Sequence, residues 1–132
     1  MIADLFEVGS TKTFTKLVLN EDCASFESGN VHPVYATFAL GRDAEWACRL
    51  FVLEMKEAHE EGIGTFLTIN HKSPALVGST VVITATVKSI IKNEIICTYK
   101  SQVGDRIIAE GEQGQKIIAK QKLDALFDSL KL

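Results

Sequence analysis

The chain has 132 residues, which is enough for one domain with a hydrophobic core and too few for two domains of ordinary size. Hydrophobic residues make up 46% of the sequence, yet no run approaches the roughly 18 apolar residues that a membrane-spanning helix needs. The formal net charge of −3 leaves no basic excess for a nucleic-acid surface. We therefore expect one soluble domain over residues 1–132, without a membrane or nucleic-acid partner.

The N-terminal segment and the cysteines both indicate a cytoplasmic protein. Residues 1–7 lack the basic and apolar regions of a secretory signal. The three cysteines, Cys23, Cys48 and Cys97, are widely spaced and form no C-x-x-C pair of the kind that binds zinc or exchanges electrons. Cys48 and Cys97 lie in apolar stretches, so we interpret them as small core residues. A catalytic cysteine is the weaker alternative.

The N-terminal third of the chain predicts one strand followed by a long connection. Residues 11–19 are rich in β-branched residues and partly alternate, which favours a strand. Residues 20–33 are rich in Asp, Glu, Ser, Asn and Gly, which favours an irregular loop. A loop of this length often has a functional role, such as that of a lid.

A long helix is predicted from about Thr37 to Glu60, because this span has no proline and only one glycine, Gly41. At 1.5 Å per residue the helix would be about 35 Å long. Its middle, residues 44–55, is apolar around most of the circumference instead of along one stripe. Such a helix has to be enclosed by the rest of the domain.

The remainder of the chain predicts four strands and a short final helix. The strands are expected at residues 64–71, 79–91, 94–103 and 106–119, and the helix at residues 120–130. Short turns between the strands favour antiparallel hairpins. The predicted fold class is therefore α+β: a hotdog fold, in which a curled antiparallel sheet of about five strands wraps around the long central helix.

His71 is the histidine best placed for catalysis. It shares the strand parity of Leu67 and Ile69, so its side chain should point to the apolar face and the helix, where it could meet Glu45. A histidine on such a face can also be a core residue with its hydrogen bonds satisfied. The other histidines, His32 and His59, lie far from it, and the three lack the compact spacing of a metal site.

Glu45 and Thr37 each have a structural and a functional interpretation. Glu45 lies three residues after Arg42 and four before Arg49, a spacing that permits ordinary helix ion pairs. Its carboxylate could instead support His71 or direct a water molecule. Thr37 could cap the N-terminus of the helix, or its hydroxyl could bind or attack a substrate.

The segment Val34–Thr37, the mid-helix Glu45 and the segment Gly64–His71 resemble the fluoroacetyl-CoA thioesterase-like branch of the hotdog superfamily. The resemblance covers nearly the whole chain, and Pro74 with residues 77–79 extends it past the histidine. It implies that Thr37, Glu45 and His71 form the catalytic set. It also implies that Gly64 contributes to binding of the substrate carbonyl.

The chain departs from this family pattern in two places. Phe38 follows Thr37 where a proline is common, and Gly111–Gln115 stands where relatives often read Gly-x-His-x-Arg. Without that arginine, we carry over the fold and the reaction class but not the fluoroacetyl specificity. A hotdog hydratase is a poorer match, because Ile69–His71 lacks the aspartate that such a site would place beside the histidine.

The resulting prediction is an acyl-CoA thioesterase that hydrolyses a small acyl-CoA to the free acid and CoA, without a cofactor or a metal. Lys116 and Lys120, with Lys122 and Arg106, could contact the CoA phosphates, or they could be a solvated surface. The alternative function is a non-catalytic module that binds acyl-CoA. A homodimer is expected, because an open sheet around one helix leaves an edge strand that needs cover.

Overall fold

The computed structural model describes residues 6–26 and 29–132. The described chain contains eight strands, a short 3₁₀ turn at Asn20–Asp22 and two helices. The strands are β1 Thr11–Leu17, β2 Cys23–Phe26, β3 Gly29–Tyr35, β4 Glu60–Leu67, β5 Asn70–His71, β6 Thr80–Ile91, β7 Glu94–Val103 and β8 Arg106–Ala119. The helices are α1 Thr37–Met55 and α2 Lys120–Ser129.

The main sheet is antiparallel and has the strand order β1-β6-β7-β8-β4, with β5 pairing to β8 beyond the end of β4. This sheet curls around α1, so the predicted hotdog arrangement is confirmed. The strand predicted over residues 64–71 is divided into β4 and β5. Thr68 and Ile69 lie between the two, and both β4 and β5 pair with the long strand β8.

Helix α1 is shorter than predicted, because it ends at Met55 and not near Glu60. The next residue, Lys56, is extended, and its backbone N–H donates the closing hydrogen bond to the Val52 carbonyl. Glu60 already pairs with Ala119 of β8. The prediction relied on the absence of helix breakers and therefore placed the end of the helix too late. Pairing with the sheet outweighs the helix propensity of the residues between Met55 and Glu60.

The connection predicted over residues 20–33 is not an irregular loop. It contains the 3₁₀ turn and the paired strands β2 and β3, whose register places Cys23 opposite Tyr35. Residues 27 and 28, at the tip, lie outside the described residues. The polar, glycine-rich composition predicted a loop. Composition alone does not reveal that the two halves of this segment pair as strands.

The core forms between the concave face of the sheet and α1. Ten residues of the helix are buried, and they lie on most sides of it: Ala39, Leu40, Gly41, Asp43, Ala44, Ala47, Cys48, Phe51, Val52 and Met55. They pack against inward-facing side chains of the sheet, including Ile83, Ile95 and Ile108. The helix is therefore enclosed on most sides, as predicted, but not on all of them, because Trp46 and Leu53 are each 41% exposed.

The C-terminal helix α2 has no buried residue in this single chain. Its apolar side chains Leu126, Phe127 and Leu130 are each about half exposed or more. Among the described residues, no helix is both long and apolar enough to cross a membrane.

The three cysteines are free thiols, and all are buried. Interaction with Cys97 on β7, together with burial, raises the pKa of the Cys48 thiol on α1 well above its ordinary value. A thiol in this state is a poor nucleophile. The geometry supports the structural interpretation of both residues.

We predict that Cys48→Ala and Cys97→Ala each lower the free energy of unfolding by about 1–2 kcal/mol, because each removes a buried side chain from a close-packed core. The double variant should cost less than the sum, since the thiols contact each other. Urea unfolding monitored by the single tryptophan measures these differences. Fully additive losses would contradict the contact between the two thiols.

Candidate active site

Thr37 and His71 form the central contact of the site. Thr37 is the first residue of α1, and His71 lies on β5, opposite Ala109 of β8. Their side chains meet at 2.9 Å between Thr37 Oγ1 and His71 Nδ1. The other ring nitrogen of His71, Nε2, is buried and has no hydrogen-bond partner within the described residues. The ring is thus directed inward, as the strand parity predicted.

The capping interpretation of Thr37 is wrong. The residue at the N-cap of α1 is Ala36, and it makes no side-chain cap hydrogen bond. Thr37 follows it inside the first turn, where its hydroxyl contacts the imidazole instead of a backbone N–H. Because the hydroxyl is exposed to solvent and held by a potential base, it is available for chemistry.

Glu45 lies in a separate part of the site. Its Oε1 accepts a hydrogen bond of 3.2 Å from Nε2 of Gln113 on β8. It also lies so close to β4 that a Cβ atom on Gly64 would come within 2.5 Å of Oε1. A glycine at position 64 is therefore required for the carboxylate to occupy its place. The structure brings Glu45 and Gly64 together, as a shared site requires.

The ion pairs considered for Glu45 are not formed within the described residues. Arg42 bonds to Asp22 and Asp43, and Arg49 bonds to Glu61. The two arginines are thus engaged elsewhere, although their helical spacing permitted contact with Glu45.

The expected meeting of His71 with Glu45 is not found in the described chain. Glu45 is eight residues after Thr37, which places it about 12 Å further along the axis of α1. His71 instead contacts the helix at its N-terminal end, through Thr37. Strand parity gave the side on which His71 lies but not its position along the helix. The site therefore has two parts, the Thr37–His71 pair and the Glu45–Gly64 contact.

A polar cluster, largely buried except for the 58% exposed Arg42, holds the start of α1 in place. The Tyr35 hydroxyl donates a hydrogen bond to Asp43, and Arg42 bridges Asp43 and Asp22 with contacts of 3.0 Å. Lys16 on β1 adds a contact of 3.1 Å to Asp22. Burial and the bond to Asp43 raise the pKa of Tyr35, so its hydroxyl stays protonated. This cluster fixes the chain on both sides of Thr37.

The proposed CoA-binding cations lie outside these two parts. Lys116 and Lys120 are exposed, on β8 and at the start of α2, and Lys122 is exposed two residues further on. The guanidinium of Arg106 bonds to Ser73 and to the carbonyl of Pro74. Within the described residues, no group of three His, Cys, Asp or Glu side chains could hold a metal ion.

A cavity of about 750 Å³ is lined by residues of β6, β7 and β8 and by residues 68–70, which directly precede His71. Its lining is polar and apolar in equal measure and includes Thr84, Thr98 and Glu110. Thr37, Glu45 and His71 do not line it. We therefore assign the candidate active site from the paired side chains and not from this cavity.

Comparison with known proteins gives the family. The family model described as FlK, fluoroacetyl-CoA-specific thioesterase, matches residues 18–121. The chain belongs to this family. A thioesterase superfamily member from Thermus thermophilus is 32% identical, with a TM-score of 0.90, over 94% of this chain and 92% of that one. The protein is accordingly a thioester hydrolase of the hotdog fold.

Two further solved structures share the fold. A structure of the fluoroacetyl-CoA thioesterase FlK is 22% identical, with a TM-score of 0.87, over 96% of this chain and 98% of its own. A hot-dog-like protein from Thermanaerovibrio acidaminovorans is 17% identical, with a TM-score of 0.88, over 99% and 98%. No curated protein matches the chain.

The sequence interpretation missed the contacts that hold Glu45 and the start of α1. Gln113 was noticed only as a departure from the family motif, yet it is the hydrogen-bond partner of Glu45. Its position in the alternation of β8 could have identified it, because that position places the side chain on the inward face of the strand. Asp43 was likewise passed over, although a carboxylate in an enclosed helix requires a buried partner.

We predict that Asp22→Asn lowers the free energy of unfolding by about 1–2 kcal/mol at pH 7, because it removes charge-assisted hydrogen bonds. Burial opposes the charge on Asp22, but the backbone N–H of Leu19, Arg42 and Lys16 outweigh it and lower its pKa. A lowered pKa in the folded state gives stability that is complete above the unfolded pKa of about 3.9 and is lost as pH falls below it.

The difference between wild type and Asp22→Asn should therefore be constant from pH 7 to pH 5 and should shrink below about pH 4. Urea unfolding at pH 7, 5 and 3 measures it. Asp105→Asn, at an exposed turn, is the matched control and should change little. A difference that widens towards pH 3 would contradict the assigned direction of the pKa.

Proposed function

We propose that the protein hydrolyses the thioester of a small acyl-CoA to the free acid and CoA. The observation that carries this proposal is the 2.9 Å contact between Thr37 Oγ1 and His71 Nδ1. A hydroxyl beside an imidazole is a nucleophile with its base. The family match supports thioester chemistry at this pair.

In the proposed reaction, neutral His71 accepts the proton of the Thr37 hydroxyl at Nδ1 as the oxygen attacks the thioester carbonyl. The C–O bond forms, and the resulting tetrahedral oxyanion collapses with cleavage of the C–S bond. His71 returns its proton to the departing CoA thiolate. A water molecule then hydrolyses the acyl-threonine, which releases the acid and restores the hydroxyl.

Glu45 and Gly64 have the second role in this proposal. The carboxylate of Glu45 takes a proton from the attacking water, which bonds to the acyl carbon as the bond to Thr37 Oγ1 breaks. His71 delivers a proton from solvent to the departing Thr37 oxygen, and Glu45 releases its proton to solvent. The backbone N–H of Gly64 stabilises the oxyanion. The thioester would lie between Glu45 and the Thr37–His71 pair. The backbones of Thr37 and Glu45 are about 12 Å apart along the axis of α1, and their side chains span part of this distance.

The solved structures of FlK support a small acyl group. One FlK variant was crystallised with acetyl-CoA, and another with fluoroacetate and CoA, and both acyl groups contain two carbon atoms. This chain has Gln115 in place of the arginine of the family motif, so the proposal does not extend to fluoroacetyl specificity. Lys116 and Lys120 are the cations proposed to meet the CoA phosphates.

We also propose a homodimer that pairs through β4. This strand bonds to β8 on one side only, and no strand in the described chain covers its other edge. Phe66 and Leu67 on it are more than one-third exposed. An uncovered edge strand with apolar side chains favours pairing with a second copy. The free, buried cysteines support the proposed cytoplasmic location.

We predict that His71→Ala lowers kcat on acetyl-CoA about 100-fold or more, because general-base catalysis is lost. Glu45→Gln should cause a comparable loss if its carboxylate directs the water. The double variant should lose much less than the product of the separate factors, since the groups serve one reaction. Release of free CoA, followed with a thiol-reactive dye, measures turnover.

His59→Ala is the matched control, because His59 is 68% exposed and lies outside the site. It should keep wild-type turnover. Folded His71→Ala with near-wild-type hydrolysis would remove the proposed mechanism. Tight binding of acetyl-CoA by a wild-type protein without turnover would instead indicate the binding module.

The dimer gives a separate prediction. Sedimentation at micromolar concentration should give twice the 14.5 kDa mass of one chain. Phe66→Lys should shift the protein towards monomer, because it places a charge at the edge of β4. The control Ile91→Lys changes another exposed apolar residue, at the end of β6, and should remain a dimer. A wild-type monomer would contradict pairing through β4.

A further inference from the structure

Two buried glutamines of β8 connect two charged side chains of α1. Glu45 and Arg49 are one helical turn apart, so they lie on the same side of the helix. Gln113 and Gln115 are two residues apart on the strand, so both point inward, and each is only 1% exposed. The helix and the strand thus present matching pairs of polar groups to each other.

These four side chains form a continuous series of hydrogen bonds. Arg49 Nη1 donates to Gln115 Oε1 at 3.3 Å, Gln115 Nε2 donates to Gln113 Oε1 at 3.0 Å, and Gln113 Nε2 donates to Glu45 Oε1 at 3.2 Å. We call this series the amide relay. Gln113 Nε2 also donates to the carbonyl of Gly114 at 3.0 Å.

The relay has only one consistent direction. A guanidinium can only donate, and an ionised carboxylate can only accept. Arg49 therefore requires the oxygen of Gln115 to face it, which turns the amide nitrogen of Gln115 towards Gln113. Glu45 requires the nitrogen of Gln113 to face it. Reversing either amide would place two acceptors or two donors in contact in a buried site, which is costly.

Two glycines of β4 make room for the relay. A Cβ atom on Gly62 would lie 3.2 Å from Arg49 Nη1 and 3.3 Å from Gln115 Oε1. At Gly64, two residues along the same face, it would lie 2.5 Å from Glu45 Oε1. The backbone takes part as well, because the carbonyl of Gly62 accepts a bond of 3.1 Å from Arg49 Nη1.

Arg49 is itself held in place by its other partners. Its Nη2 donates to Glu61 at 2.8 Å, and both side chains are about one-third exposed or less. Backbone N–H and guanidinium contacts lower the pKa of Glu61, so this partner remains charged. The guanidinium is therefore fixed at both ends, and it provides a rigid starting point for the relay.

We infer that Arg49 is a positioning residue for the reaction, and that it acts on the Glu45 carboxylate through the oriented amides of Gln115 and Gln113. Arg49 need not touch the substrate, because the amide nitrogen of Gln113 holds the carboxylate against Gly64. The effect on turnover rests on the proposed function. The order of the hydrogen bonds does not depend on that function.

The kinetic experiment uses Gln115→Glu, which keeps the size of the side chain and its contact with Arg49. The new carboxylate cannot donate, so either orientation of Gln113 brings two acceptors together. We expect kcat on acetyl-CoA to fall about tenfold, the cost of about one hydrogen bond to a charged group, with KM changed less than twofold. In a Glu45→Gln background the same substitution should change kcat less than twofold.

The matched control is Gln102→Glu, the same substitution on the outer face of β7, which should leave kcat unchanged. An equal loss in both backgrounds would mean that Gln115→Glu acts through general damage to the fold, and it would overturn the inference. Unchanged kcat in Gln115→Glu alone would overturn it as well.

A nuclear magnetic resonance measurement tests the relay without turnover. Solvent exchange of the side-chain amide hydrogens of Gln113 should be at least tenfold faster in Arg49→Met than in wild type, because the ordered donors are lost. Lys56→Met removes another cation close to α1 and should leave this rate unchanged. Equal exchange in wild type and Arg49→Met would overturn the relay, whereas a wild-type protein without hydrolysis would count only against the proposed function.

Discussion

The enclosure of α1 by the curled sheet is the constraint on which the rest of the structure depends. Polar groups on the buried sides of this helix cannot turn to solvent, so each of them needs a partner inside the protein. Asp43 meets this requirement with Tyr35 and Arg42, and Glu45 meets it with Gln113. The groups that hold the helix are therefore also the groups that surround the candidate active site. Stability and chemistry share the same hydrogen bonds along α1.

The same enclosure explains where small residues are needed. Helix and sheet approach so closely that side chains of α1 reach the backbone of β4, and a Cβ atom at Gly62 or Gly64 would collide with Val52 or Glu45. On the helix, Gly41 leaves space for Ile69, which lies in the connection between β4 and β5. This connection leads directly to His71. Close packing at Gly41 thus helps to set the position of the imidazole opposite Thr37.

Much of the fold was predictable, because it depends on patterns with a clear physical period. The continuous apolar surface of residues 44–55 required an enclosed helix, and the alternating β-rich runs required a sheet to enclose it. The strands β6, β7 and β8 began and ended close to the predicted residues for this reason. The end of α1 and the β2–β3 hairpin were not predictable, since both depend on pairing with distant residues that local composition does not record. For the site, parity gave the direction of His71, but its contact with Thr37 instead of Glu45 depends on where β5 crosses the helix.

The relay also gives a physical reason why this chain departs from the family motif at position 115. Gln115 Oε1 lies 3.3 Å from Nη1 of Arg49, which is hydrogen-bond distance from a permanent cation. An arginine at position 115 would bring a second permanent cation to a site that is almost fully buried, where like charges repel strongly. A glutamine instead accepts a hydrogen bond from Arg49 and donates one to Gln113. Arg49 and the glutamine at position 115 are therefore mutually dependent.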